Sequence, residues 1–446
     1  MRFNHLDDWL VWQEKLNPTE IELGLERVSA VLTRAGLSST FQCPLITVAG
    51  TNGKGSVVAM LEAMAMASDL KVCSYTSPHI FQYNERIKIN TQPVGDDVIC
   101  ESFERIDRAR DESQLTYFEF GTLAAIDLFF RQKPDLVILE VGLGGRLDAV
   151  NVMDADVSVI TSVAIDHIDW LGSDRESIGY EKAGIMRAST PVVCGDRNPP
   201  DSVINFANKL QCDFYQIGRD YEVINNESVS NAEDINKLWT LQSRIGNVEN
   251  LTEPSLLGEF QKSNAATAIL ALQILHAQGR MLLDKKRQIT LDRRTLCTAL
   301  QNISLKGRFQ KINSSPQVFV DVAHNAQAAE VLAAQIKALA ADGQGKTWAI
   351  VAMLTDKDVS SVLRTVSAEV DCWCLAGLED VARGLSVELL AELGRESLTN
   401  QCTIQAPTVE EACDLVLSKA SEKDRIIIFG SFYTVAAAMI FFKIKK

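Results

Sequence analysis

The residues best suited to chemistry stand together at Gly50-Thr51-Asn52-Gly53-Lys54-Gly55-Ser56, directly after the apolar run Leu45–Ala49. Successive small residues let backbone N–H groups turn toward an anion. A following helix N-terminus adds a favourable dipole, and Lys54 adds a point charge. This is chemistry for a phosphate. The spacing departs from Gly-x-x-x-x-Gly-Lys-Ser/Thr, because Gly50 and Gly53 are too close and Gly55 intervenes before Ser56. The competing reading is a tight turn between strand and helix. A second position of interest is Glu140, at the end of the buried run Leu136–Glu140. A carboxylate there needs a partner, since burying an unpaired charge is costly. Two partners are open: a magnesium ion bridging nucleotide phosphates, or a salt bridge to Arg146.

Other polar residues carry more than one reading. His167 is one of five histidines, and on its own it suits a structural hydrogen bond. Lys182 reads as a surface or phosphate-pairing lysine. Asp321 ends a strand, which is the ligand side of an open α/β sheet, but a helix N-cap is also open. Asn264 could likewise begin a helix. His324 could touch phosphate or shape its loop.

Positioning these residues requires alternating strands and helices. Two amphipathic helices are expected at 4–16 and 19–35, then the strand 45–49 and a helix over 57–67. Helices near 96–110 and 121–131 precede the strand 136–140, and 157–161 and 191–194 read as further strands. Residues 218–258 are polar, Asn-rich and weakly alternating, as in an edge sheet or surface insertion, and a helix over 264–278 returns to the core pattern. The basic stretch 280–293 reads as a solvated connection. From about 306 a second unit alternates regularly: strands at 318–321, 347–352, 372–375 and 425–429, with helices ending near 341 and 369, others near 387–393 and 409–420, and a last helix. The expected fold is α/β. It has an N-terminal P-loop-type ATP-binding α/β domain over 1–305 and a smaller C-terminal doubly wound, mostly parallel sheet domain over 306–446.

Bulk properties narrow the function. The 446 residues are too many for one ordinary core, while 46% hydrophobic and 23% charged residues are ordinary for a globular chain. A net charge of −14 argues against a nucleic-acid binder. No signal peptide is expected at the N-terminus, and the apolar run 435–442 is far short of a membrane span. Ten cysteines are scattered without a framework; Cys372 and Cys374 are too close for a Cys-x-x-Cys motif, and no Cys/His cluster has zinc spacing. Reduced, mostly buried thiols in a cytoplasmic protein are expected.

The motifs taken in order resemble the folylpolyglutamate synthase family of the Mur-ligase superfamily, including its bifunctional dihydrofolate synthase members. The resemblance rests on Ala49 to Ser56, Thr76-Ser77-Pro78-His79 with Glu85-Arg86-Ile87, the run Glu140 to Asp148, Asp166-His167 with Leu171-Gly172, Glu181 to Ile185, Gly307-Arg308-Phe309 and Asp321 to Asn325. Two departures are Phe260 to Ser263 and Ala326, where a proline commonly follows the His-Asn pair. The resemblance implies ATP bound by Thr51, Asn52, Gly53, Lys54, Gly55, Ser56, Asn264, Arg308 and Asp321, from both domains. It implies two magnesium sites using Ser77, Glu140 and His167, and a carbamylated Lys182. It implies a substrate site at Glu22, Leu23, Gly24 and Leu25, at Thr116, Tyr117, Phe118 and Glu119, and at Leu147, Asp148 and Ala149. Phe118 would stack on a pterin, although as an isolated residue it suits a core, and Asp148 would accept pterin N–H groups. Lys54, Lys182 and His324 would carry the chemistry. The implied activity is addition of L-glutamate to dihydropteroate and to reduced folates by a monomer, through an acyl phosphate. A monofunctional folylpolyglutamate synthase, a cell-wall precursor ligase and a P-loop NTPase switch are the alternatives; the last would not require glutamate.

Overall fold

Leu45–Ala49 and Leu136–Glu140 are buried at every position, as continuous apolar runs must be when a parallel sheet is covered on both faces. They pair with each other at the centre of the first sheet. The computed structural model describes residues 1–17, 19, 21–226, 238–280, 291–341, 345–399 and 401–444. Most of the basic stretch, 281–290, lies outside the described residues.

The first sheet is built from β1 (Leu45–Ala49), β2 (Val72–Tyr75), β3 (Ile87–Ile89), β4 (Gln92–Pro93), β5 (Leu136–Glu140), β6 (Val157–Ile160), β7 (Pro191–Cys194) and β8 (Asp213–Gln216). Its order is β4-β3-β2-β5-β1-β6-β7-β8, antiparallel only at β3 and β4. Val48 of β1 stands beside Glu140 of β5 and Val159 of β6. The loops after β1, β2, β5 and β6 therefore share one edge, the ligand side of such sheets. Residues 221–252 contain a separate antiparallel sheet of β9 (Tyr221–Asn225), β10 (Leu238–Ser243) and β11 (Val248–Thr252), in keeping with the weak alternation there.

The last sheet holds β12 (Gln310–Ser314), β13 (Gln317–Asp321), β14 (Thr347–Val351), β15 (Cys372–Ala376), β16 (Cys402–Ala406) and β17 (Arg425–Phe429), in the order β12-β13-β17-β14-β15-β16. Only β12 is antiparallel. Apolar clusters line both faces, one including Phe309, Trp373 and Phe429, the other Trp348, Cys374 and Val435. The chain divides into two compact units: Met1–Val163, Leu171–Ser255 and Glu259–Ser304 form one, and Ala164–Trp170, Leu256–Gly258 and Leu305–Lys446 form the other. Among the described residues, no helix is long and apolar enough to cross a membrane.

Three helices start four or more residues away from the sequence expectation. The second helix is Glu26–Arg34 rather than 19–35; the backbone N–H of Gly24 donates to Leu147 O at 3.3 Å, and so leaves the helical pattern. The helix expected over 121–131 starts at Tyr117, where Thr116 and Glu119 form a reciprocal capping box. The helix around Asn264 begins at Phe260, so Asn264 lies inside it and does not start it.

Candidate active site

The loop after β1 is tied down by the end of β6. Thr51 N–H donates to Ser162 O at 2.7 Å, and Thr161 Oγ1 donates to Asn52 O at 2.6 Å. Gly50 has a φ of 146°, and a Cβ there would stand 1.9 Å from Thr161 Oγ1. No other residue type fits this approach. Gly53, at φ 88°, turns the chain into the helix Lys54–Ala67. Lys54 Nζ donates back to Gly50 O at 3.0 Å and Thr51 O at 3.3 Å, so its charge sits over the loop. Ser56 is buried, and Gln261 Nε2 reaches its Oγ at 3.5 Å. Asn264 Nδ2 donates to Gln261 Oε1 at 3.0 Å, and its Oδ1 lies 3.0 Å from the Cβ position of Gly53. Asn264 thus flanks the phosphate-type loop from a neighbouring helix.

Glu140 and Ser77 meet on the same sheet edge. Ser77 N–H donates to Glu140 Oε2 at 3.3 Å, and Glu140 is buried. Arg146 does not supply the salt bridge considered for Glu140: its Nη2 lies 2.8 Å from Glu181 Oε1, and its backbone N–H donates to Glu181 O at 2.7 Å. Glu181 sits on the helix Arg175–Ala183, which the preceding loop packs against, and this places Arg146 on that helix. Lys182, the next residue, is buried at 4% exposure and is no surface lysine. A carboxylate and a serine hydroxyl at a phosphate-loop edge are oxygen donors suited to a hard divalent cation. Among the described residues, no group of three or more His, Cys, Asp or Glu side chains is arranged to hold a metal ion.

The three segments expected to form the pterin site come together in the first unit. Arg27 pairs with Glu22 and, at 2.9 Å, with Glu119, while Gly24 bonds Leu147. Leu23 and Leu25 flank that bond. Thr116 N–H donates to Glu119 Oε2 at 2.8 Å and Glu119 N–H to Thr116 Oγ1 at 3.2 Å, so this stretch is first a helix cap. Tyr117 stands edge-on to Tyr83. Phe118 is half-buried against the loop after β5, and a Cβ on Gly142 would approach its ring to 2.6 Å. Asp148 accepts from Gly142 N–H at 3.0 Å, Leu143 N–H at 2.8 Å and Val150 N–H at 2.9 Å. These bonds fold the loop and cap the short turn from Ala149. Burial pushes the Asp148 carboxyl up to about 6, against these three N–H groups and the charge of Lys54.

The second unit gathers another charged group. Asp166 accepts from Lys357 Nζ at 2.6 Å and Asn325 Nδ2 at 3.0 Å, with His324 Nε2 at 3.4 Å. Lys357 also stands 3.3 Å from Asp356. Burial opposes the Asp166 charge, but the His324 hydrogen bond and the charges of His324, His167 and Lys357 outweigh it and hold the carboxyl well below the usual range. His167, at φ 52°, lies 3.5 Å from Lys357 through Nε2. Burial leads the effects that lower its ring to about 4. His324 Nδ1 stands 2.7 Å from Val322 O. Asp321 is not a helix N-cap: the next helix starts at Ala326, and the carboxylate accepts from Phe309 N–H and Ala323 N–H, both at 2.7 Å. Burial raises its carboxyl, while Arg308 and those bonds oppose the rise. The Arg308 guanidinium lies over the Phe432 ring at 5.6 Å.

Sequence reasoning gave Asp166, Asp356 and Lys357 no role. The signal available was the acid–base run Asp356-Lys357-Asp358 a few residues beyond the end of β14.

A phosphate-type loop on a mostly parallel sheet, followed by a second, mostly parallel α/β unit, fits a Mur-type ligase. Family models agree: the Mur ligase middle domain matches residues 48–272 and the Mur ligase glutamate ligase domain matches 307–432. A dihydrofolate synthase/folylpolyglutamate synthase of Escherichia coli K12 is 39% identical over 97% of this chain and 94% of its own length. The structure of E. coli FolC in complex with DHPP and ADP superposes with a TM-score of 0.87 at 38% identity, covering 99% of this chain and 98% of that one. A bifunctional folylpolyglutamate synthase/dihydrofolate synthase with Mn, AMPPNP and L-glutamate bound gives 0.84 at 40% identity, covering 98% of each chain. The chain belongs to the dihydrofolate synthase/folylpolyglutamate synthase family.

Proposed function

We propose that this chain is an ATP-dependent ligase that adds L-glutamate to dihydropteroate, forming dihydrofolate, and to reduced folates, forming folylpolyglutamates. The observation that carries the acceptor assignment is the convergence of Glu22–Leu25, Thr116–Glu119 and Leu147–Ala149, with Lys54 close enough for its charge to act on Asp148. Relatives with DHPP, nucleotide, Mn and L-glutamate support the same reading. The protein acts as a monomer in the cytoplasm.

A carboxylate is a poor electrophile, so the acceptor is first phosphorylated by ATP. The amine of glutamate then attacks the acyl phosphate, and the tetrahedral intermediate collapses to an amide and phosphate. Thr51, Asn52, Gly53, Gly55 and Ser56 cradle the phosphates, and Lys54 neutralises them. Asn264 is the further nucleotide contact proposed in the first unit, and Arg308 and Asp321 are those proposed in the second. Ser77, Glu140 and His167 would hold magnesium, in two sites, which when bound neutralises charge on the transferred phosphoryl group. Lys182, buried on the helix Arg175–Ala183, carries a carbamate formed by its amine with carbon dioxide. His324 is held by Val322 O at Nδ1 and by Asp166 at Nε2, so it takes the proton of the incoming amine only once its Nε2 proton has passed to the Asp166 carboxylate.

Phosphate release should need ATP, magnesium, glutamate and a pteroate or folate acceptor together. Equal release with a cell-wall nucleotide peptide, or release indifferent to glutamate, overturns the assignment. Activity on reduced folates without any on dihydropteroate reduces it to a monofunctional folylpolyglutamate synthase.

A further inference from the structure

Cys372 and Cys402 open adjacent parallel strands, β15 and β16, and are direct register partners. Register partners on parallel strands send their side chains to the same face, with backbones roughly 4.8 Å apart. This spacing lies inside the range a disulfide spans without backbone movement. The Cys402 thiol is close enough to Cys372 to act on its ionisation. Cys372 is buried, whereas Cys402 is exposed on the edge strand. The other described cysteine on β15, Cys374, is buried beside Ile404 rather than a thiol. We propose that Cys372 and Cys402 form a modification site, a cross-strand dithiol that closes to a disulfide on exposure to a low-molecular-weight disulfide.

The exposed thiol is the point of entry. The Cys402 thiolate attacks one sulfur of the small disulfide and expels a thiolate, giving a mixed disulfide on Cys402. The Cys372 thiol then loses its proton, and its sulfur attacks Cys402 and releases the second small thiol. The protein loses two protons and two electrons, and the small disulfide becomes two thiols. Burial, followed by the neighbouring Cys402 thiol, pushes Cys372 up to about 11, so it is poorly suited to the first attack and acts as the resolving partner. Both residues begin their strands, at the sheet edge opposite the one where β13 ends in Asp321. Closing the bond therefore leaves the Asp321 and His324 end of this sheet unaltered.

The test uses the full chain incubated with glutathione disulfide, blocked with an alkylating agent and digested for mass spectrometry. The expected product is a peptide pair joined through Cys372 and Cys402, two hydrogens lighter than the dithiol form, reversed by a reductant and missing from Cys402→Ser. Ligase activity of the oxidised wild type should stay within about twofold, and its midpoint of thermal unfolding should rise by a few degrees. A stable glutathione adduct on Cys402 with Cys372 still alkylated overturns the proposal. So does a Cys372 cross-link that persists in Cys402→Ser.

Discussion

Around the first sheet, the side chains proposed for chemical roles come from loops that each follow one strand: Lys54 after β1, Ser77 after β2, Glu140 and Asp148 at and beyond the end of β5. In the second unit, Asp166, His324 and Lys357 come from three segments separated by more than a hundred and by more than thirty residues. The first arrangement is local, because strand, turn and helix fix the side chain within a few residues. The second exists only after the chain has folded, and its members depend on one another. Removing one residue from the first kind should abolish chemistry and spare the fold. Removing one from the second should damage both.

The largest contrast is expected at Glu140. Glu140→Gln keeps the size and the acceptor for Ser77 N–H but removes the charge. Ligation should fall by roughly 10² to 10³, by analogy with the loss of one charge-stabilising group, with thermal unfolding little changed. Wild-type turnover at saturating magnesium would remove Glu140 from the metal site.

Lys357→Met sharpens the other side. The Lys357 and Asp166 side chains are 6% and 8% exposed, and stranding one of a buried pair costs about 3 kcal/mol or more. Urea unfolding should show that loss, and adding Asp166→Asn should restore much of it. A single variant as stable as wild type would break the comparison, because the cluster would then be no tighter than a surface pair.

Asp148 joins both behaviours within the first unit. Its folded carboxyl titrates at about 6, against about 3.9 unfolded. Between those values the folded chain holds a proton that the unfolded chain has released, so this residue's contribution to stability falls as pH rises through the window and is level above it. Urea midpoints from about pH 4 to about pH 7 should show the wild type losing stability relative to Asp148→Asn over that window. A constant difference would place the carboxyl in its ordinary range.

The smallest effect is expected at the Thr116 cap. Thr116→Ala should cost about 1 kcal/mol, measured by the same unfolding, because Glu119 keeps its bond to Arg27. No change would mean that the cap contributes nothing beyond that ion pair.

The strands β1, β5, β7 and β17 were legible to the residue, because buried parallel strands are unbroken apolar runs between turn residues. The phosphate-type loop was legible for the same local reason. The helix expected at 19–35 was overextended because the Gly24 to Leu147 bond is tertiary and leaves no periodic trace. Arg146 was open as a partner of Glu140 because their proximity in sequence hid the approach of Glu181 from another helix. Lys357 went unremarked because its partner Asp166 lies far away in the chain, and a lone acid–base run after a strand reads as a solvated turn.

The acyl phosphate is tested most directly by isotope transfer. Dihydropteroate whose carboxylate oxygens carry a heavy isotope is incubated with ATP, magnesium, glutamate and the enzyme, and the inorganic phosphate is isolated for mass spectrometry. Activation of the carboxylate by ATP requires one labelled oxygen to leave with each phosphate, in step with dihydrofolate formed. Dihydrofolate accompanied by unlabelled phosphate would show that the carboxylate was never phosphorylated, and would contradict the proposed mechanism.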